Sequence, residues 1–174
     1  MSEVQDEEEG VNRRGVVTSA VGIAIVGAAI LRGLARRFAI RESSMSPTLD
    51  DGDWVIARRR PSAGLDRGDI VVFPDPSVSG SNLVKRVIGL PGERVGIEGG
   101  RVTINGALLA DRWASGTTTP DGMWEVPDGH VWLLGDNRAS SSSDGRVLGP
   151  LPIKDIPWVV AARYWPTGRA GLVG

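Results

Sequence analysis

Cysteine is absent from the 174 residues, which removes thiol catalysis, disulfides and thiolate metal sites from consideration. Histidine occurs once, as His130, so there is no cluster for a histidine zinc site, and a histidine-based serine triad would have to use that one residue. Aromatic residues are scarce at 5%. The net charge of −1 lacks the strong positive field that a nucleic-acid partner requires. Lysine is nearly missing: of 20 basic residues only Lys85 and Lys154 are lysine. No motif asks for a cofactor or a metal. What the chain has in plenty is Gly (24) and Pro (11), a mix that favours short strands and many turns over long packed helices. The length suits one domain with an appendage.

Residues 1–14 form a polar, acidic start (Asp6, Glu7, Glu8, Glu9) that reads as a disordered tail. Residues 16–31 are an uncharged apolar run, extendable to Ala35 if Arg32 snorkels. A spanning helix needs about 20 apolar residues, and the run predicts a transmembrane helix over 15–37. A cleaved signal peptide and a buried soluble helix are the alternatives; a clean Ala-x-Ala exit is missing for the first. Arg13 and Arg14 precede the run while Arg32, Arg36, Arg37 and Arg41 follow it, so charge alone would leave the larger domain in the cytoplasm. From residue 38 to 168 the pattern is β: short apolar runs at 54–57, 70–73, 83–90 and 131–134 lie between Gly, Pro and Asp. Residues 94–109 predict a hairpin with turns at Gly99-Gly100 and Asn105-Gly106. Residues 111–129 read as a surface excursion, 156–164 as a closing strand and 169–174 as a tail. The fold class expected is mostly β: an antiparallel domain behind one transmembrane helix.

Three segments carry chemistry. Ser43-Ser44-Met45-Ser46-Pro47-Thr48-Leu49 offers a hydroxyl, which is a poor nucleophile until a base removes its proton; the bland alternative is a turn serine. Leu83-Val84-Lys85-Arg86-Val87-Ile88-Gly89-Leu90-Pro91-Gly92-Glu93 places Lys85 on one strand face with Leu83 and Val87. An ammonium held against apolar neighbours loses solvation and its pKa falls. Arginine cannot do this, because it does not deprotonate in proteins, so a lysine here is informative in a chain that otherwise uses arginine. Its bland alternative is a strand-edge surface lysine. The third segment, Gly135-Asp136-Asn137-Arg138 leading through four serines to Asp144-Gly145-Arg146, is by itself a polar loop or linker.

Taken in order, together with Gly68-Asp69-Ile70-Val71-Val72-Phe73, these segments resemble the bacterial signal peptidase I family of Ser/Lys-dyad serine endopeptidases, over residues 38 to about 152. The resemblance implies that Ser44 is the nucleophile and neutral Lys85 the general base. It implies a loop serine orienting that lysine; the loop is one residue longer than the common spacing, so counting forward gives Ser141 and counting back gives Ser142. It implies supporting ion pairs of Asp136 with Arg86 and Asp144 with Arg146, and an oxyanion hole using the Ser44 amide. The family's second oxyanion donor falls on Glu42, which cannot donate as a carboxylate, so Ser43 or a backbone amide has to replace it. Shallow apolar pockets for small side chains are expected from Phe38, Ile40, Met45, Leu49 and Val84, with the peptide added as a strand beside Lys85. The partners implied are signal peptides of exported preproteins and the lipid bilayer, with the domain on the extracytoplasmic side of the cell membrane. A specialised leader peptidase, such as the nickel-type superoxide dismutase maturation peptidases, shares these signatures. The self-cleaving SOS repressors share the Ser/Lys chemistry, although no DNA-binding head precedes the domain. A degenerate, membrane-anchored binding module is the non-enzymatic rival.

Overall fold

The computed structural model describes residues 22, 24–28, 30–61 and 64–173. The chain divides into two units, residues 1–35 and 36–174. In the first, residues 24–28, 30 and 31 are helical. The helix closes where Gly33 turns left-handed (φ 66) and its N–H reaches back to the Ile30 carbonyl at 3.0 Å. The transmembrane helix expected over 15–37 falls partly outside the described residues, as does the tail over 1–14. Among the described residues no helix is long and apolar enough to cross a membrane, and from Ala35 onward the chain is already strand.

The second unit is built of antiparallel sheets. Strands β1 (Ala35–Ala39), β2 (Trp54–Arg59), β3 (Ile70–Pro74), β4 (Asn82–Gly89), β9 (His130–Leu134), β10 (Leu151–Pro152) and β11 (Trp158–Trp165) follow the spatial order β1-β2-β11-β3-β4-β9-β10, and β12 (Gly171–Leu172) adds to β11. A smaller sheet, β7-β6-β5-β8, joins β5 (Arg94–Glu98), β6 (Arg101–Ile104), β7 (Ala107–Leu108) and β8 (Gly122–Glu125).

The unbroken run Ile70-Val71-Val72-Phe73 is apolar because both faces of β3 are covered. Ile70 and Val72 enter one core cluster with Ile40, Met45, Leu49 and Val55, while Val71 and Phe73 enter a second with Val87, Val131 and Leu133. All four are at most 1% exposed, and each contributes roughly 1.5–3 kcal/mol of transfer free energy. The expected hairpin is present: Glu98 pairs with Arg101 across Gly99-Gly100, and Ile104 with Ala107 across Asn105-Gly106. All four turn residues have positive φ, as two-residue hairpin loops demand.

Residues 111–129 depart from the surface excursion expected of them. They contain β8, and they bury Thr118 (1% exposed) and Val126 (2%). Arg94–Glu98 and Gly122–Glu125 pair in register, a contact between segments far apart in the chain that Gly-Met-Trp-Glu does not announce. The closing strand runs Trp158–Trp165, and the expected tail supplies β12.

Candidate active site

Residues 41–52 turn back from β1 toward β2. The loop is held at its ends by Ile40 N–H on the Asp53 carbonyl (2.8 Å) and Gly52 N–H on the Ile40 carbonyl (3.1 Å). Inside it, Met45 (1% exposed) and Leu49 (0%) sink into the first core cluster. Arg163 of β11 donates to the Thr48 carbonyl at 2.7 Å and to Asp53 at 3.1 Å. The half-buried Ser44 is thereby fixed from below, and its carbonyl accepts the Asn137 N–H at 3.1 Å.

Lys85 stands on β4 opposite Val71, and its same-face neighbours Leu83 and Val87 pack into the second cluster. It is 3% exposed. Its Nζ donates to Ser44 Oγ at 2.9 Å; once deprotonated, the same nitrogen presents a lone pair to that hydroxyl. Burial pushes the Lys85 ammonium below its ordinary pKa, and the charge of Arg146 acts the same way, whereas the carboxylates of Asp144, Glu42 and Asp75 oppose the fall without cancelling it.

Asp144 caps the short helix Gly145–Leu148, accepting from Arg146 N–H. It also takes Arg146 Nε (3.0 Å) and Nη2 (2.9 Å), Ser141 Oγ (2.7 Å) and Gly135 N–H (3.2 Å). Burial works to raise its pKa, but the Arg146 and Ser141 hydrogen bonds and the Arg146 charge outweigh burial and hold the carboxyl below the usual range. Gly135 has no room for a side chain: a Cβ there would lie 2.4 Å from Ser141 Oγ and 2.5 Å from the Ser44 carbonyl. Arg86 and Asp136 form a fully buried two-pronged pair, Nε to Oδ1 at 2.8 Å and Nη2 to Oδ2 at 2.7 Å. Arg86 also donates to the Gly68 carbonyl at 2.7 Å and to Thr48 at 3.3 Å.

A cleft of about 560 Å³ opens over Ser44 and Lys85, with apolar walls that include Phe38, Ile40, Met45 and Val84. Leu49, expected among them, instead lies in the core cluster packed behind these walls, at 0% exposure and off the cleft surface. The serines divide. Ser141 is buried and donates a hydrogen bond to Asp144, whereas Ser142 lies exposed on the cleft lining. Among the described residues Lys85 Nζ hydrogen-bonds Ser44 Oγ, and Ser141 reaches the site through Asp144. Ser43 is exposed, and its carbonyl accepts the Ser46 N–H at 3.1 Å. His130 lines a separate cleft of about 580 Å³ with Arg60 and Lys154, and its Nδ1 meets the Asp128 carbonyl. Glu42 lines the cleft, and unforeseen parts of the site are Asp75 on the same lining and Trp113, whose ring lies 4.8 Å from the Arg86 guanidinium. The last sits in the presumed excursion, where spacing carries no signal of it.

The chain matches a family model described as signal peptidase, peptidase S26, over residues 13–165. The chain belongs to the peptidase S26 family. Among its relatives, signal peptidase I of Leptolyngbya laminosa is 35% identical over 174 aligned residues, covering 88% of this chain and 83% of the relative. Signal peptidase I U of Bacillus subtilis is 32% identical, covering 88% of each. Human mitochondrial inner membrane protease subunit 1 is 35% identical, covering 75% of this chain and 69% of that protein.

One residue of this S26 site is held in an uncommon conformation. Glu42 has φ 73, a left-handed backbone that costs a non-glycine residue roughly 1–2 kcal/mol. Its N–H donates to Asp51 Oδ1 at 3.2 Å, and its carboxylate favours the charged form of Lys85. Glu42→Gly is therefore expected to raise stability by up to about 1 kcal/mol in urea unfolding. The same change removes a carboxylate that supports the Lys85 ammonium, so the acid limb of any Lys85-dependent rate moves to lower pH. An unmoved limb, or one moved upward, would contradict this account of Glu42.

Proposed function

We propose that this S26 peptidase is a membrane-bound serine endopeptidase that removes N-terminal signal peptides from exported preproteins after Ala-x-Ala-like sites. The observation that carries the reading is the 2.9 Å approach of Lys85 Nζ to Ser44 Oγ, with the amine buried and its pKa lowered. Ser44 Oγ attacks the scissile carbonyl as its proton passes to neutral Lys85 Nζ. The tetrahedral oxyanion takes the Ser44 N–H and a second donor, for which Ser43 is the side-chain candidate. Collapse breaks the C–N bond, and Nζ returns the proton to the leaving amine. In deacylation a water gives its proton to Nζ, its oxygen bonds to the acyl carbon, and Ser44 Oγ leaves and takes the proton back. Asp136 with Arg86, and Asp144 with Arg146 and Ser141, serve as supports that keep charge and loop in place.

The substrate adds as a strand beside Asn82–Lys85. There β4 pairs with β3 on one edge, while β9 begins its pairing on the other only at Arg86, which leaves main-chain groups open to an extended peptide. The apolar walls Phe38, Ile40, Met45 and Val84 suit small side chains on alternate positions. Anchoring through the apolar run at 16–31 is consistent with the name of the human relative; the proposed activity, which cuts signal peptides where they emerge from the bilayer, assigns the catalytic unit to the extracytoplasmic side against the charge rule.

The experiment is cleavage of an Ala-x-Ala preprotein by detergent-solubilised protein across pH. Only neutral Lys85 accepts a proton, so the rate should rise with pH through the lowered lysine pKa and level off above it. A profile flat from about pH 6 to pH 10 removes Lys85 as base, given its ordinary value near 10.4. Wild-type protein that never cuts, beside a working control, favours the binding module.

A further inference from the structure

We infer that residues 111–118 are a positioning strap that holds the two members of the reacting pair at working distance, with Asp111 as its anchoring residue; the inference rests on the Ser44–Lys85 reading above. The strap reaches both sides of the pair. On the lysine side, the Trp113 ring covers the guanidinium of Arg86, the residue after Lys85 on β4. The same ring packs on Gly68, where a Cβ would lie 2.9 Å from it, and the Gly68 carbonyl accepts Arg86 Nη1.

On the serine side, Ser115 N–H donates to the Asp136 carbonyl at 2.7 Å, and Arg138 N–H donates to the Ser115 carbonyl at 2.9 Å. These two bonds bracket Asn137, which bridges Ser115 in parallel and gives its own N–H to the Ser44 carbonyl. A displacement of the strap is thereby passed to the backbone of the nucleophile through a single residue.

Arg138 ties this arrangement down. It is 1% exposed, and its Nε donates to the Gly135 carbonyl at 2.9 Å while Nη1 donates to Thr118 Oγ1 at 2.8 Å. Its Nη2 lies 2.5 Å from Asp111 Oδ2, an ion pair without hydrogen-bond alignment. Arg138 is desolvated, so Asp111 is the counter-charge that lets the guanidinium remain inside. Neither residue touches Ser44 or Lys85; both act through Gly135 and Asn137 and are positioning residues. Proton transfer from Oγ to Nζ depends steeply on separation, and a shift of about 1 Å is enough to cost about 10²-fold in rate.

The test uses full-length, detergent-solubilised protein and an Ala-x-Ala preprotein, with rates normalised to the folded fraction from tryptophan fluorescence. Asp111→Asn is expected to lower kcat per folded molecule by roughly 10–100-fold with KM within about twofold, and Asp111→Glu to recover most of the loss. Thr118→Val, which removes one Arg138 acceptor at nearly constant volume, should lower kcat several-fold, and it carries the test alone if Asp111→Asn does not fold. An unchanged kcat per folded molecule with a lowered Tm would make the strap a purely structural brace and overturn the inference. A loss carried by KM would overturn it too. Wild-type protein that fails to cleave defeats the proposed function itself, and this inference falls with it.

Discussion

Lys85→Arg is expected to abolish cleavage, with kcat down by at least about 10³-fold, while circular dichroism and the unfolding transition remain those of a folded domain. The positive charge is retained, but a guanidinium does not release its proton in proteins, so Ser44 keeps its own. Loss of a general base costs roughly 10²–10⁴-fold, and here the base is also the group that activates the deacylating water, which places the expectation in the upper part of that range. Lys85→Met makes the complementary case. The buried ammonium has its pKa lowered in the folded chain, first by desolvation, and regains its ordinary value on unfolding. Between those two values the unfolded chain holds the proton and the folded chain does not, so wild-type stability rises with pH across that window. Below the window both states are protonated and the folded state bears the full penalty of a buried charge; above it neither does. Lys85→Met should therefore exceed wild type in stability most at low pH, with the advantage shrinking as pH climbs toward 10.5. Urea unfolding at several pH values measures this. An advantage independent of pH would mean that Lys85 carries no buried charge, and an active Lys85→Arg enzyme would end its role as base.

The parts of the site legible in the sequence are those whose residue type is improbable where it stands. A lysine inside an apolar strand, in a chain that otherwise spends arginine, is such a residue, and the order of the motifs tied it to Ser44. The strands were legible where the chain runs apolar without interruption, as at β3, and the hairpin where Gly and Asn occupy the left-handed turn positions. What stayed hidden was set by contacts between distant segments. Periodicity describes one element at a time, and nothing in Asp111-Arg112-Trp113 tells that Asp111 meets Arg138 or that Trp113 covers Arg86. Leu49 failed as a wall residue for a similar reason. Residues of one apolar motif divide between the cleft and the core behind it, and Met45 and Leu49 alike are nearly inaccessible, yet only Met45 also edges the cleft. The serine ambiguity was one of loop length. Spacing counts residues but does not say which hydroxyl turns inward, and the acceptor that decides it, Asp144, is itself held by Arg146.

The second large effect concerns stability. Asp136→Ala should cost about 3–5 kcal/mol, the penalty for leaving a buried guanidinium without its counter-charge; Arg86 is 0% exposed and Asp136 equally inaccessible. Against a total of about 5–15 kcal/mol for an ordinary domain, that change removes a large share of the stability. The double variant Arg86→Met/Asp136→Leu removes both charges and fills their space with apolar atoms, an exchange that is often neutral or stabilising. Stability is expected to return in large part, short of the hydrogen bonds that Arg86 gives to Gly68 and Thr48. Cleavage is expected to stay slow. The bond to Thr48 ties β4, beside Lys85, to the Ser44 loop, the bond to Gly68 ties it to the turn before β3, and no pair of apolar side chains reproduces their directions. A non-additive recovery in stability beside a persistent loss in kcat would assign the ion pair to geometry and not to net folding energy. A double variant that is both stable and fully active would show that the surrounding core alone sets the distance between amine and hydroxyl.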